Sequence, residues 1–210
     1  MDKTRLIQTW AIAGVKDFYI SFEFEEENRW HEYSAFFCNQ GLEKICKAYI
    51  LAQSASTWEY LPENKALVQV NKIAKNLGHN LKVLINCLQS RNVLPVSSRN
   101  QKSSKNKGHR AVSYSEDELV EILAATYIEA RYPIPKSAQI HRRYPLSKSP
   151  KMFSCPIGET APIKYARKTA LAVLSKITSD FSITIPQDKK CVSSRIPDDR
   201  WKKFQNAFFK

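Results

Sequence analysis

His79 is the residue of this sequence whose type and position suit chemistry best. It stands after Gly78 in "KNLGHNLKVL", on a break between two apolar helical patterns, and is one of four histidines in the chain. Imidazole titrates near neutral pH, so a histidine at a helix junction can act as a general base. The alternative is a structural, neutral histidine that is hydrogen-bonded at the junction, where the N-terminus of the next helix disfavours a protonated ring.

Two predicted helices must position His79. Apolar residues recur at helical spacing over residues 67–77 and again over residues 81–88. Gly78 is predicted to be the C′ glycine that ends the first helix. Asn80 is predicted to be the N-cap of the second helix. The pattern therefore predicts a tight helical corner around His79.

A longer helix is predicted in "RWHEYSAFFCNQGLEKICKAYILAQSA". Its two apolar rows are wide enough to pack against neighbours on two sides. Gly41 in its interior costs about 1 kcal/mol relative to alanine, and a close helix crossing would compensate. The polar remainder is a stripe of Gln40, Glu43, Lys44 and Lys47. The i,i+4 spacing of Glu43 and Lys47 indicates an ion pair, which we expect to be solvated or at the edge of a bundle.

The other segments are also mainly helical. "GVKDFYISFEFEEEN" fits a helix or a strand, and Ser115 with Glu118 predicts a capping box. "APIKYARKTALAVLSKIT" has one apolar face, with Lys164, Arg167 and Lys168 projecting on the opposite side. "FSITIPQ" suggests an extended edge segment. Only five glycines and these helical periods predict an all-α protein.

The last predicted helix, in "PDDRWKKFQNAFF", has one aromatic face. Trp201, Phe204 and Phe208 share that face. Such spacing favours docking of the helix on the bundle over stacking on nucleic-acid bases.

The positive charge is concentrated in the second half of the chain. The net charge is +13, of which residues 1–94 contribute +1 and residues 95–210 contribute +12. Two acid-free basic stretches, 95–115 and 136–151, stand out, and we expect the first to be a mobile loop. These stretches offer contacts to the phosphates of RNA or DNA, or they only keep the chain solvated. The candidate contact residues are Arg99, Lys102, Lys105, Lys107, Arg110, Arg142, Arg143 and Tyr144.

Other classes of protein find little support in the sequence. The five cysteines are scattered without a CxxC pair, which argues against disulfides and zinc and favours reduced thiols in the cytoplasm. No apolar run reaches the length of a membrane span, and the N-terminus lacks the apolar region of a secretory signal. We expect no metal and no cofactor.

Three motifs together resemble the HEPN family (higher eukaryotes and prokaryotes nucleotide-binding domain). They are "AFFCNQGLEKICKAYIL", "GHNLKVL" and "YIEARYPIP", in this order and over roughly residues 13–135. Asn80 stands where the family more often has aspartate. The resemblance implies an antiparallel up-and-down bundle of four or five helices. We assign residues 1–135 to this bundle and expect residues 136–210 to form a basic, partly helical extension packed on it.

The resemblance implies a function connected with RNA or nucleotides. It implies a homodimer and, in some systems, a nucleotidyltransferase-type partner protein. Further candidate contacts to RNA or a nucleotide are Lys47, Asn80 and Tyr132, and Tyr132 could line an anion pocket together with Arg131. Catalytic members place an arginine four to six residues before a histidine, and no arginine of this chain has that spacing. The nearest substitute is Lys72 before His79.

Three functions therefore remain open. The first is an RNA- or nucleotide-binding module that lacks the catalytic pair. The second is a metal-independent ribonuclease of a toxin–antitoxin or defence system, in which folding brings Arg131 to His79. In this case Arg131 also has a structural alternative, as a cation at the end of its helix paired with a carboxylate such as Glu43. The third is an accessory protein that binds DNA through the basic half.

Overall fold

The computed structural model of the chain describes residues 2–26, 31–95, 115–131 and 161–209, and these residues form helices and connecting coil without a strand. The prediction of an all-α bundle is therefore confirmed. The helices are α1 (Lys3–Glu26), α2 (His31–Gln53), α3 (Glu63–Asn76), α4 (Leu81–Ser90), α5 (Glu116–Arg131), α6 (Ala161–Phe181), α7 (Lys189–Val192) and α8 (Asp198–Phe208). A single 3-10 turn, Ala55–Thr57, follows α2.

The central helix of the bundle is α2. It packs against α1, α4, α5 and α6, so both of its apolar rows are covered. From Leu42 to Ala52 nearly every side chain of α2 is buried. The width of its apolar surface predicted this position between neighbours on two sides.

Two glycines allow α1 and α2 to cross closely. A Cβ atom at Gly41 would lie 2.8 Å from the carbonyl oxygen of Gly14 and 2.7 Å from the ring of Phe18. A Cβ atom at Gly14 would lie 2.7 Å from the carbonyl oxygen of Gly41. The backbones therefore meet where neither helix has a side chain, and the close crossing expected from Gly41 is confirmed.

The direction of each helix relative to α2 follows from its side-chain contacts. Helix α1 is antiparallel to α2, because Lys44 pairs with Asp17 whereas Ser34 contacts Ser21. Helix α4 is parallel to α2, since Arg91 at its C-cap donates to Gln53 at the end of α2.

Helices α5 and α6 complete the layer around α2. The side chain of Asn39 donates to the carbonyl of Leu123 in α5 over 2.5 Å, and Tyr49 donates to Asp180 at the end of α6 over 2.7 Å. Glu121, half a turn earlier than Leu123, pairs with Lys82 at the start of α4. Helix α5 is therefore antiparallel to α2.

Helix α8 closes the bundle against α1. Phe208 and Phe204 contact Phe18 and Phe22, with ring centroids 4.8 and 5.8 Å apart. Trp201 is also buried. The expected docking of this aromatic face is therefore confirmed.

The basic residues of α6 and the segment after this helix differ in part from the expectations. Lys164 and Lys168 are exposed as expected, but Arg167 is buried and pairs with Glu25 at 2.9 Å, so the expectation of an outward Arg167 is wrong. The cause is the packing of α6 along α2, which brings Arg167 to the end of α1. The coil after α6 has no strand partner among the described residues, and it buries Ile183 and Ile185.

Candidate functional site

A helical corner presents His79. Helix α3 ends before Gly78, whose φ of 63° is a left-handed conformation that glycine adopts without strain. Asn80 then caps α4, because its side-chain oxygen accepts a hydrogen bond from the backbone N–H of Val83 over 3.3 Å. Both local predictions for this corner are confirmed, and they fix the backbone on each side of the histidine.

A buried ion pair holds the imidazole of His79. Lys47 Nζ donates to Glu43 Oε1 over 2.8 Å, and His79 Nδ1 lies 2.9 Å from the same oxygen. The side chains of Lys47 and Glu43 are 4% and 6% exposed, whereas that of His79 is 64% exposed. The three groups form a line from the interior to the surface, which we call the Lys47–Glu43–His79 relay.

The burial of Glu43 and Lys47 corrects an expectation. Their i,i+4 spacing indicated the pair, but we expected it to be solvated or at the edge of the bundle. Instead α2 is enclosed along this stripe, and the two charges can be buried because they neutralise each other. Gln40 and Lys44, from the same stripe, stay partly exposed.

The carboxylate of Glu43 is only half satisfied by hydrogen bonds. Its Oε1 atom has two partners, whereas Oε2 is buried without a partner among the described residues. A buried carboxylate is destabilised unless it is paired, so Lys47 and His79 both stabilise its charge. Nearby, burial raises the pKa of Asp17 in spite of the hydrogen bond from Lys44.

A second polar cluster lies at the other end of α2. Glu25 Oε1 accepts from Ser34 over 2.9 Å and from Arg167 over 2.9 Å, and Ser34 Oγ is 2.8 Å from Ser21 Oγ. All four side chains are buried or nearly so. This cluster joins α1, α2 and α6 and was not predicted, because its members are up to 142 residues apart in sequence.

Acidic and basic sides flank the relay. On the α5 side, Lys82 pairs with Glu121, and the first turn of α5 has three further carboxylates: Glu116, Asp117 and Glu118. Carboxylates raise the pKa of Lys82 through the hydrogen bond to Glu121 and the charges of Glu121 and Asp117. On the opposite side α3 exposes Lys72 and Lys75.

A cleft of about 630 Å³ lies on the α3 side of the relay. Its lining includes Ile50, Gln53, Ile73 and Arg91, together with Leu77, which is two residues before His79. Its volume lies within the range of small-molecule sites.

The structure brings some of the predicted site residues together and does not describe the side chains of others. His79, Asn80 and Lys47 come together at the relay, although Lys47 is buried and reaches a ligand only through Glu43 and His79. Arg131 is the last residue of α5, and its side chain lies outside the described part of the chain. It follows Leu123 by eight residues, about 12 Å along a helix, in the direction away from Glu43. A site shared by Arg131 and His79 stays a prediction.

The remaining predicted residues stay predictions. The stretch 95–115, beyond its first residue and its last, and the stretch 136–151 lie outside the described residues, as does the boundary proposed between the bundle and its extension. The residues concerned are Tyr132, Arg99, Lys102, Lys105, Lys107, Arg110, Arg142, Arg143 and Tyr144.

Neither a candidate metal site nor a candidate membrane-spanning helix is present among the described residues. These residues contain no group of three histidine, cysteine or acidic side chains suited to a metal ion. None of the described helices combines the length and the apolar character that crossing a membrane requires.

Glu43 is the residue of the candidate site whose contacts the sequence predicted least well. Its pairing with Lys47 is visible in the i,i+4 spacing, but its contact with His79 joins residues 36 apart. The only sequence signal for that contact is the pair of motifs in the HEPN resemblance, "QGLEK" and "GHNL".

Comparisons with family profiles, with curated proteins and with solved structures give no match for this chain.

Proposed function

We propose that this chain is an HEPN-like module that binds RNA or a nucleotide at the His79 corner. The observation that carries the proposal is the Lys47–Glu43–His79 relay, a buried ion pair that ends in an exposed imidazole. Burying an ion pair stabilises a fold little compared with apolar side chains of the same size. A relay that keeps one exposed histidine in place is therefore better explained by binding than by stability.

The surroundings of His79 suit a phosphate group. The ring adjoins the N-terminus of α4, where the helix dipole favours an anion. The cleft lined by Leu77 is large enough for a nucleobase, and its lining combines apolar side chains such as Ile50 with polar ones such as Gln53. These features support a ligand with a phosphate and a planar ring, as in RNA or a nucleotide.

A titration of the purified chain with labelled RNA tests this proposal. The probe is an oligouridylate of about 16 nucleotides, followed by fluorescence anisotropy in EDTA at low salt. We expect binding by the wild type and about tenfold weaker binding by His79→Ala, with Lys168→Ala as an exposed control on α6. Absence of binding by the wild type, for both the labelled RNA and labelled mononucleotides titrated separately, would contradict the proposal.

A second candidate, a metal-independent ribonuclease, is favoured by the contact between Glu43 and His79. A carboxylate that accepts the Nδ1 proton fixes the tautomer in which Nε2 is the basic nitrogen, as in a general base. Cleavage of the same RNA in EDTA, lost in His79→Ala and reduced in Glu43→Gln, would establish it. Intact RNA after prolonged incubation with the wild type would exclude it and leave the binding module.

The remaining parts of the proposal concern partners. A homodimer is tested by sedimentation equilibrium, and a nucleotidyltransferase-type partner by co-purification with a neighbouring gene product. Duplex DNA in the same anisotropy titration tests the third function, because preference for the duplex over RNA at matched salt would favour a DNA-binding accessory protein.

A further inference from the structure

We infer that single-stranded RNA reaches His79 along the outward face of α3. This inference rests on the proposed function and adds to it the direction from which the nucleic acid enters. Three independent features of the described residues indicate the α3 side as the path of the RNA. They are exposed apolar and aromatic side chains, lysines without acidic partners, and carboxylates on the α5 side that repel a polyanion.

The first feature is the position of the exposed apolar side chains. Tyr60 is 85% exposed and Val68 is 69% exposed, and Leu61 and Leu67 are also exposed. All four lie in or just before α3, whereas exposed large apolar residues are otherwise few among the described residues. Clustered exposure of this kind marks an interaction surface. An exposed tyrosine ring can stack on a base of a single strand.

The second feature is a row of lysines on the same face. Lys65, Lys72 and Lys75 are exposed, and none of them is in a salt bridge within the described part of the chain. They span ten residues, about 15 Å of helix, and the row ends near the corner that holds His79. Lysines without acidic partners retain their full charge for phosphates.

The third feature is the acidic character of the α5 side of His79. Lys47 and Lys82, the lysines nearest to His79 on α2 and α4, are both paired with carboxylates. The first turn of α5 then adds Glu116, Asp117 and Glu118. On the α3 side the two carboxylates, Glu59, which pairs with Lys3, and Glu63 in the first turn, lie at the end of the face that is far from His79. A polyanion is therefore repelled from the α5 side and attracted to the Lys72 and Lys75 end of α3, beside the same histidine.

These features favour RNA over an acidic protein as the occupant of this face. An acidic protein surface would match the lysines, but it would not explain why the row leads to the exposed imidazole. A single strand satisfies both, because its phosphates contact the lysines and its bases contact Tyr60.

The test compares two triple variants in the anisotropy titration with labelled oligouridylate. The first is Lys65→Gln, Lys72→Gln and Lys75→Gln on α3. The matched control is Lys164→Gln, Lys168→Gln and Lys202→Gln on α6 and α8, where the lysines are equally exposed. Each lost phosphate contact lowers the slope of log K against log salt by about 0.7, so the α3 variant should lose about 2 and the control much less.

Two further measurements complete the test. Tyr60→Ala should weaken binding about tenfold, and Glu116→Gln with Glu118→Gln should strengthen it. Circular dichroism melting shows that each variant is folded. Unchanged affinity and slope in the α3 variant, while His79→Ala still weakens binding, would overturn the α3 path, keep the proposed function and leave α3 to a protein partner. If the wild type itself does not bind the RNA, the result contradicts the proposed function and not only the α3 path.

Discussion

Lys47 and Glu43 carry opposite charges inside the bundle. The exposed ring of His79 contacts Glu43 and so connects this buried pair to the surface. Removing one partner leaves the other charge buried and uncompensated, which is more damaging than removing both. The residue-scale consequence is a strong coupling between positions 43 and 47, with the orientation of the imidazole depending on both.

A double-mutant cycle tests this coupling. Lys47→Met should lower the free energy of unfolding by about 3–5 kcal/mol, because Glu43 then lies buried without its ammonium partner. The double variant Glu43→Leu, Lys47→Met should recover most of that loss. Urea denaturation measures both, and Lys65→Met, on an exposed lysine, should stay within about 0.5 kcal/mol of the wild type. An equally small effect of Lys47→Met would show that the pair is not buried in solution.

At the residue scale the sequence predicts roles that depend on neighbouring residues, such as helix capping, but not contacts between residues far apart in the chain. Gly78 and Asn80 are predictable because a C′ glycine and an N-cap act within one turn of their own backbone. The contact between Glu43 and His79 depends on how α2 and α4 pack, so no local pattern contains it. The outward position predicted for Arg167 fails for the same reason.

At the scale of elements, the crossing of α1 and α2 depends on two glycines. Ala at position 41 should destabilise the fold by about 1–3 kcal/mol, although alanine is the better helix former, because its Cβ would press on the backbone of Gly14. Thermal melting is the measurement, with Asn86→Ala on the exposed side of α4 as control. A Gly41→Ala variant that melts at or above the wild-type temperature would argue against the close crossing.

Tyr49 joins α2 to α6 and gives this junction a dependence on alkaline pH. Burial and the hydrogen bond to Asp180 raise the pKa of Tyr49 to about 12 from an ordinary value of 10.0. The folded state therefore keeps a proton that the unfolded state loses, so this contribution to stability is constant below pH 10.0 and falls as the pH rises towards about 12.

Tyr49→Phe checks this junction. At neutral pH the variant should lose about 1 kcal/mol of stability, the worth of the hydrogen bond. Between pH 10 and 12 its stability should fall less steeply than that of the wild type, although Tyr165, whose pKa burial also raises to about 12, contributes to both. Urea denaturation across that range measures the slopes. Identical slopes would mean that the phenol is not buried against α6.

Local signals predict several elements well. The capping box at the start of α5 is present, with the Ser115 N–H donating to Glu118 over 2.7 Å and the Glu118 N–H donating to Ser115 over 3.3 Å. The first helix was ambiguous, since its aromatic residues fit either a helix or a strand. Its identity is decided by partners far away in sequence, because Phe18 and Phe22 pack on α8.

At the scale of the whole molecule, α8 completes the core by covering α1. Phe204→Ala should lower the free energy of unfolding by about 3–5 kcal/mol, because this fully buried ring contacts Tyr19, Phe22 and Phe208. Lys203→Ala, on the exposed side of the same helix, is the control. A small effect of Phe204→Ala in chemical denaturation would mean that α8 is detached from the bundle in solution.

The all-α class was predictable because glycine is scarce and apolar residues recur at helical spacing throughout. The arrangement was less so. The central position of α2 followed from its two apolar rows, but the packing of α6 along it depends on residues more than 100 positions later in the chain. No periodicity within α6 could show that Arg167 meets Glu25.

Binding of RNA at the His79 corner is tested most directly by observing His79 itself. With four histidines in the chain, each imidazole C–H resonance can be assigned by single substitutions and followed by NMR as oligouridylate is added. We predict that the His79 resonance shifts in step with binding and shifts less in the α3 triple variant at the same RNA concentration. Saturation of the protein with RNA while the His79 resonance stays in place would contradict it.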